Sequence, residues 1–327
     1  MLPSGRPPQF VVVSFDGAGN LARLARWRSV ARETGARFTY FLSGVYLLDP
    51  AHADVYVGPG HRPGASSIGF APWHGTPSPE VYLRDLVAML QGAEREGDEV
   101  GTHYNGHFCA GVVHPVGTWS AADWTDELDR FDQLAAGIAL NNGFARPVPN
   151  PLGPDGVIGG RTPCLEGDMD VLYPVLAQRG FRYDASRAGV AQQWPQRVDG
   201  IWSFTLDRIP LAGLPGRTNL SMDYNLYVAY AGAHEVPPER EAWIRDQAFR
   251  TLDGYFEASY RGGRAPVKVG NHLNGWNHDA YSGALERFVR TECTKPEVRC
   301  VSFADLARWL DARTPAQLAV LQAAPAG

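Results

Sequence analysis

The chain has 327 residues, enough for one large α/β domain, and an ordinary apolar share for a packed protein. Its net charge of −5, with the arginines dispersed, offers no basic field for a nucleic-acid backbone. No run of about 18 apolar residues is present, so no segment reads as a membrane span.

The opening Leu2-Pro3-Ser4-Gly5-Arg6-Pro7-Pro8 lacks the apolar core of a signal peptide, and residues 1–8 read as a linker remnant of an exported protein. The β-branched run Gln9 to Phe15 then reads as a buried strand feeding a loop at Asp16-Gly17-Ala18-Gly19. A helix from Leu21 through Ala31, ended by Gly35, and a second strand over 37–42 complete a parallel crossover unit. Residues 44–79, rich in Gly, Pro, His and aromatics and without period, read as an inserted lobe.

Helical patterning resumes from Pro79 to Arg95, and a short strand at Glu99-Val100-Gly101 leads into His103. A long helix is expected over 119–142 with Ser120 as its N-cap, then a Gly/Pro-rich loop over 146–160 and a helix around 168–179. Short strands follow at 181–183 and 201–204, with Met222-Asp223-Tyr224-Asn225 in a long loop. The remainder reads as helix 238–260, strand 265–269, helix 280–292, strand 299–303 and helix 304–311. This alternation predicts a single domain over 9–312 with a tail over 313–327.

Four cysteines, Cys109, Cys164, Cys293 and Cys300, form an even set, which in an exported protein suggests two disulfides. Cys293 and Cys300 close a short loop as a local staple. No C-x-x-C spacing points to a zinc knuckle.

Polar residues at strand ends carry the chemistry. In a parallel barrel the loops after the strands converge on one face, so Asp16, His103, Arg161 and His272 can share a site. His103 and His107 stand at i and i+4, adjacent on one helical turn and able to chelate a cation. Asp16, read alone, is as well explained as the cap of the helix starting near Asn20, and Arg161 as an ion-pair partner. His114 and His278 lack matching partners and read as surface residues.

Phe15-Asp16, His103-x-x-x-His107, Arg161-x-Pro163 and the late strand ending in His272 resemble, in order, motifs of the polysaccharide deacetylases, carbohydrate esterase family 4 with the NodB-homology domain. Tyr183-Asp184-Ala185-Ser186 resembles a further stretch of some members. The resemblance implies a deformed (β/α) barrel and removal of acetyl groups, as amide or ester, from a carbohydrate. It implies a divalent metal, zinc first, held by His103 and His107. It gives Asp16 the role of general base, Arg161 that of orienting Asp16, His272 that of general acid, and the Cys164 backbone N–H that of oxyanion donor. A secreted or cell-envelope monomer with a carbohydrate substrate is expected.

Three positions depart from the family pattern. Gly17 stands where a second carboxylate binds metal, so Asp16 itself, water, or a distant carboxylate such as Asp184 or Asp223 is left to complete the site. Tyr104 replaces a small hydroxyl residue after the first histidine, and Cys164 replaces a tyrosine. A Cys109–Cys164 bond would compensate by stapling the metal loop to the oxyanion loop. Trp276 and Asp223 are candidate substrate contacts.

Two rival readings remain. One is a catalytically degenerate, glycan-binding relative. The other is a dinucleotide-dependent oxidoreductase, because Gly17-Ala18-Gly19-Asn20-Leu21-Ala22 fits G-x-G-x-x-A after a strand. No G-x-S-x-G elbow supports a serine hydrolase.

Overall fold

The computed structural model describes residues 1–323 except 4, 73 and 74, so two positions of the expected lobe and the last four of the tail lie outside the described residues. Its strands are β1 (Gln9–Asp16), β2 (Thr39–Leu42), β3 (Glu99–Thr102), β4 (Gly159–Gly160), β5 (Tyr183–Val190), β6 (Gln196–Val198), β7 (Ile201–Pro210), β8 (Thr218–Leu220), β9 (Val267–His272) and β10 (Val298–Cys300). The helices are α1 (Leu21–Thr34), α2 (Pro79–Glu96), α3 (Ala121–Ala136), α4 (Ile138–Asn141), α5 (Met169–Gln178), α6 (Asp223–Ala231), α7 (Pro238–Arg261), α8 (Trp276–Glu292), α9 (Phe303–Asp311) and α10 (Pro315–Gln322).

Every residue of β1 is buried, as a central parallel strand covered on both faces requires. It pairs in parallel with β9 through Val11–Asp16, with β2 through Ser14–Asp16 and with β10 through Gln9–Val11. The parallel ladder continues β2–β3–β4–β5–β7, with β6 and β8 added antiparallel to β7. Between β7 and β9 no ladder forms. There the chain beyond β8 fills the gap: Ser221 N–H donates to Asp207 O, Gly270 N–H donates to Ser221 O, both at 2.9 Å, and Met222 bridges Gly270. The result is a deformed (β/α) barrel.

Side-chain alternation sets what faces inward. Val11, Val13 and Phe15 pack outward with Leu24 and Trp27 of α1, whereas Phe10 and Val12 join Phe41, Phe204 and Phe303 in a separate inner cluster. The same parity turns Ser14 and Asp16 into the barrel, at the end where the strands give way to loops. His272 is the register partner of Asp16 and stands beside it.

Local signals held where caps were explicit. Asn20 caps α1 by accepting from Arg23 N–H, which removes that role from Asp16, and Gly35 ends the helix at φ 71°. Ser120 caps α3 in a box with Asp123, but Gly137 breaks the expected 119–142 helix in two. The loop expected at Met222–Asn225 instead begins α6, whose tyrosines and valine are poor helix formers held by burial of Leu226, Tyr227 and Tyr230. Part of the tail is helical as α10.

The seam at β7 and β9 is locked by an ion pair. Lys268 Nζ lies 3.0 Å from Asp207 Oδ2, both side chains are fully buried, and Asp207 also accepts from the Thr205 and Tyr255 hydroxyls. Removing one partner strands a buried charge. Asp207→Ala is therefore expected to lower the unfolding free energy by about 3–5 kcal/mol in urea titration, while Asp207→Leu with Lys268→Met returns to within about 1 kcal/mol of the parent. A loss below about 1 kcal/mol in the single variant would contradict this.

Candidate active site

At the loop end of the barrel a cavity of about 700 Å³ is lined by Asp16, His103, His107, Thr162, Cys164, His272 and Trp276, among others. Six of the expected site residues, Asp16, His103, His107, Cys164, His272 and Trp276, thus meet although 256 positions separate Asp16 from His272 in sequence.

Asp16, 4 % exposed, is held by the Arg161 guanidinium at 2.7 Å. The same Nη1 donates to Ser14 Oγ, and Arg161 Nε donates to Ala185 O at 2.9 Å, so the arginine ties β1 to β5 from inside the barrel. Its cation also stacks 4.8 Å over Phe41. Burial pushes the Asp16 carboxyl upward, but opposing charge, the Arg161 guanidinium first, outweighs it and holds the group below the usual carboxylate range.

His103 follows β3 directly. Its Nδ1 lies 2.8 Å from the Arg161 carbonyl oxygen, an acceptor only, so Nδ1 carries the proton and Nε2 keeps its lone pair. Burial drops its pKa to about 4, leaving it neutral at physiological pH. His107 is likewise lowered by burial, and the two rings are 5.2 Å apart. They do not share a helical turn: Tyr104 and His107 have φ of 55° and 58°, and the segment is a tight loop. The pairing expected from i, i+4 spacing arises from this loop instead.

That loop is braced from α3, by a residue not singled out in the sequence. Glu127, 1 % exposed, accepts from Asn105 N–H at 2.9 Å and from Tyr56 OH at 2.8 Å, while Asn105 Nδ2 donates to the Glu127 carbonyl. Tyr56 OH in turn accepts from Gly106 N–H. The signal was present: Glu127 is a charge on the helical face of Trp124, Leu128 and Phe131. Tyr104, in place of a small hydroxyl residue, is buried against Trp124.

The second anchor is covalent. Cys109 and Cys164 are disulfide-bonded, as are Cys293 and Cys300. Alongside the first bond, Ala110 N–H donates to the Glu166 carboxylate, so the His107 loop and the 161–166 loop are joined twice. Cys164 itself has φ 55°, and its N–H takes part in none of the hydrogen bonds among the described residues.

His272 closes the constellation. Asp223 Oδ1 lies 2.8 Å from its Nδ1, and Oδ2 accepts from its backbone N–H. Burial opposes protonation, but the Asp223 carboxylate prevails and raises the imidazole above its ordinary value. Asp223, expected as a substrate contact or spare ligand, is therefore a partner buried behind His272. Asp184 is no spare ligand either, because it is fully buried and accepts from Ser186 N–H, Ser186 Oγ and Tyr173 OH. Trp276 lines the cavity with one face stacked on Tyr227 at 5.1 Å.

Among the described residues, one trio of His, Cys and carboxylate donors is gathered within 4.8 Å, namely His107, Cys109 and Cys164, and its two sulfurs are bonded to each other. Among the described residues, Asp16 does not form with His103 and His107 a group whose ligand atoms all lie within 4.8 Å of one another.

The place of the absent second carboxylate is filled. A Cβ on Gly17 would lie 3.3 Å from Tyr46 Oη, and one on Gly19 would lie 2.7 Å from the Tyr46 ring. The glycine-rich loop also cannot cradle a pyrophosphate. Gly17 and Ala18 N–H both donate to Phe41 O, and Gly19 N–H donates to Gly17 O. The dinucleotide alternative thereby loses its donors.

No family model matches the chain, and no curated protein matches it in sequence. Among solved structures it is similar to a putative polysaccharide deacetylase from Mycobacterium smegmatis, with 12% identity over 94% of this chain and 92% of that one and a TM-score of 0.54. Weaker likenesses are to a CE4 family pseudoenzyme from Bacillus anthracis (10% identity, 92% and 66% of the two chains, TM-score 0.45) and a family 4 carbohydrate esterase from Streptomyces lividans in complex with acetate (13%, 89% and 91%, 0.42). The first likeness gives the chain a polysaccharide-deacetylase fold.

Two outcomes test this geometry. Gly17 has φ 69°, so Gly17→Asp combines left-handed strain with a close contact on Tyr46, and a loss of about 1–2 kcal/mol is expected in thermal unfolding; an unchanged midpoint would contradict the contact. Burial raises Glu127 to about 7, so it stays neutral in the folded chain while its unfolded counterpart ionises from about 4.5 upward. Its stabilising share is complete below about pH 4.5 and is lost toward pH 7, on the order of 1.4 kcal/mol per pH unit. Glu127→Gln is expected to flatten that decline; an identical pH dependence would contradict it.

Proposed function

We propose that the chain is a metal-dependent hydrolase that removes acetyl groups from an acetylated saccharide. The observation that carries this reading is the pairing, side by side at the top of the barrel, of a carboxylate whose pKa is lowered and an imidazole whose pKa is raised. Asp16 is kept below its ordinary pKa by Arg161, and His272 is kept above its own by Asp223. Two groups driven apart in this way suit a base and an acid working at one pH.

His103 and His107 would hold the ion, zinc first among candidates, and when bound it supplies Lewis acidity for the acyl carbonyl. Asp16 accepts the proton of the attacking water while Arg161 fixes its carboxylate. The Cys164 N–H donates to the developing oxyanion, and His272 passes its proton to the departing nitrogen or oxygen. The polysaccharide-deacetylase fold supports a saccharide as substrate. Two disulfides suit an oxidising compartment outside the cytosol, and no described helix is long and apolar enough to cross a membrane.

A second reading, binding of a glycan without turnover, is favoured by the missing third donor at the histidine pair. Acetate release separates the two. Asp16→Asn is expected to reduce kcat by about 10²–10⁴. Asp223→Asn is expected to move the basic limb of the pH–rate profile to lower pH, since an acid that must be protonated is lost as pH rises through its pKa, and that pKa falls without Asp223. Glycan binding with no acetate released from any substrate would establish the second reading.

A further inference from the structure

The cavity is lined from several segments at the loop end of the barrel. Its lining comes from the loops after β1, β2, β3, β4 and β9 and from the β8–α6 junction, which itself bridges back to β9 through Met222 and Gly270. One wall, made by Tyr46, Ile68 and Pro72, belongs to the long segment after β2. This wall is fixed to the His107 loop: Ser67 N–H donates to Gly106 O at 2.8 Å, and Ser66 Oγ reaches Gly106 O at 3.3 Å.

The walls away from the reacting groups are largely hydrocarbon. Ile68, Pro72, Leu165, Leu220, Met222 and Leu273 come from four separate segments, and Asp16 is the lone Asp, Glu, Lys or Arg among the described lining residues. The amides that could serve sugar hydroxyls are partly engaged: Asn20 Oδ1 caps α1, Asn274 Oδ1 accepts from Gly275 N–H, and Asn225 Nδ2 donates to Asn219. A sugar hydroxyl set against Ile68, Pro72, Leu220 or Met222 would be left unpaired, which costs about 1–3 kcal/mol, whereas an apolar substituent there loses nothing. A volume of about 700 Å³ is in the range of sites for small-molecule-sized ligands.

We infer that the substrate is an acetylated sugar bearing an apolar aryl or alkyl group, preferred over a run of unsubstituted sugar units. This rests on the hydrolase reading of the same site. In the reaction water adds its oxygen to the acetyl carbon, the C–N or C–O bond breaks, acetate leaves, and His272 gives its proton to the departing amine or alcohol.

The test compares N-acetylglucosamine, its 4-nitrophenyl and octyl glycosides, and its linear oligomers from dimer to pentamer, with acetate release as readout. The inference expects kcat/KM for the apolar glycosides to exceed that for the free sugar at least tenfold, and to fall or stay flat along the oligomers. A kcat/KM that climbs from dimer to pentamer would overturn it while leaving the hydrolase reading intact. If no probe releases acetate, the hydrolase reading fails, and calorimetric binding of the same probes to the wild-type chain decides the inference: tighter apolar glycosides uphold it, a tighter pentamer refutes it. Ile68→Asn is expected to raise KM for the octyl glycoside about tenfold but not for the free sugar; equal effects on both would count against it.

Discussion

The buried contact between Asp16 and Arg161 is the constraint on which the site rests. Arg161 is fully buried, and such a charge is tolerable only when paired and hydrogen-bonded. Asp16, Ser14 and the Ala185 carbonyl serve its Nη1 and Nε, joining β1 to β5 through the barrel interior, while Nη2 is buried without a hydrogen-bond partner among the described residues. The same residue's backbone carbonyl fixes the tautomer of His103. One arginine therefore keeps the carboxylate ionised and one imidazole correctly turned, and the loop it sits in is tied to the second histidine by the Cys109–Cys164 bond.

The departures at Gly17, Tyr104 and Cys164 belong together. With glycine at 17, the space beside Asp16 admits the Tyr46 ring, and with it a wall of the cavity. The bracing of the histidine loop is moved to Glu127 and Tyr56, which frees position 104 to bury an aromatic ring against Trp124. Cys164 keeps its backbone N–H at the cavity while its side chain becomes the covalent staple.

Much of this was legible in the sequence because it was local. The apolar run of β1 ending at Asp16, the Asn20 and Ser120 caps and the order of Asp16, His103, Arg161 and His272 could all be read along the chain. What escaped depends on contacts that no short window contains. The service of Asp223 to His272 links positions 49 residues apart, and α6, which delivers Asp223, is a helix only because its aromatic face is buried. Tyr46 acts on Gly17 from an aperiodic segment, and the histidine spacing suggested a helical turn because positive φ at Tyr104 and His107 leaves no mark in residue type. Glu127 was the exception, a charge on an apolar helical face whose buried partners could have been suspected.

In the proposed hydrolase, His103 and His107 on their braced loop would hold a cation beside Asp16 and His272. The most direct measurement is bound metal per chain after zinc loading and desalting, for the wild-type protein and for His103→Ala, His107→Ala. The account expects near one ion per chain in the first and none in the second. Equal metal content in both, or none in the wild type, would contradict it.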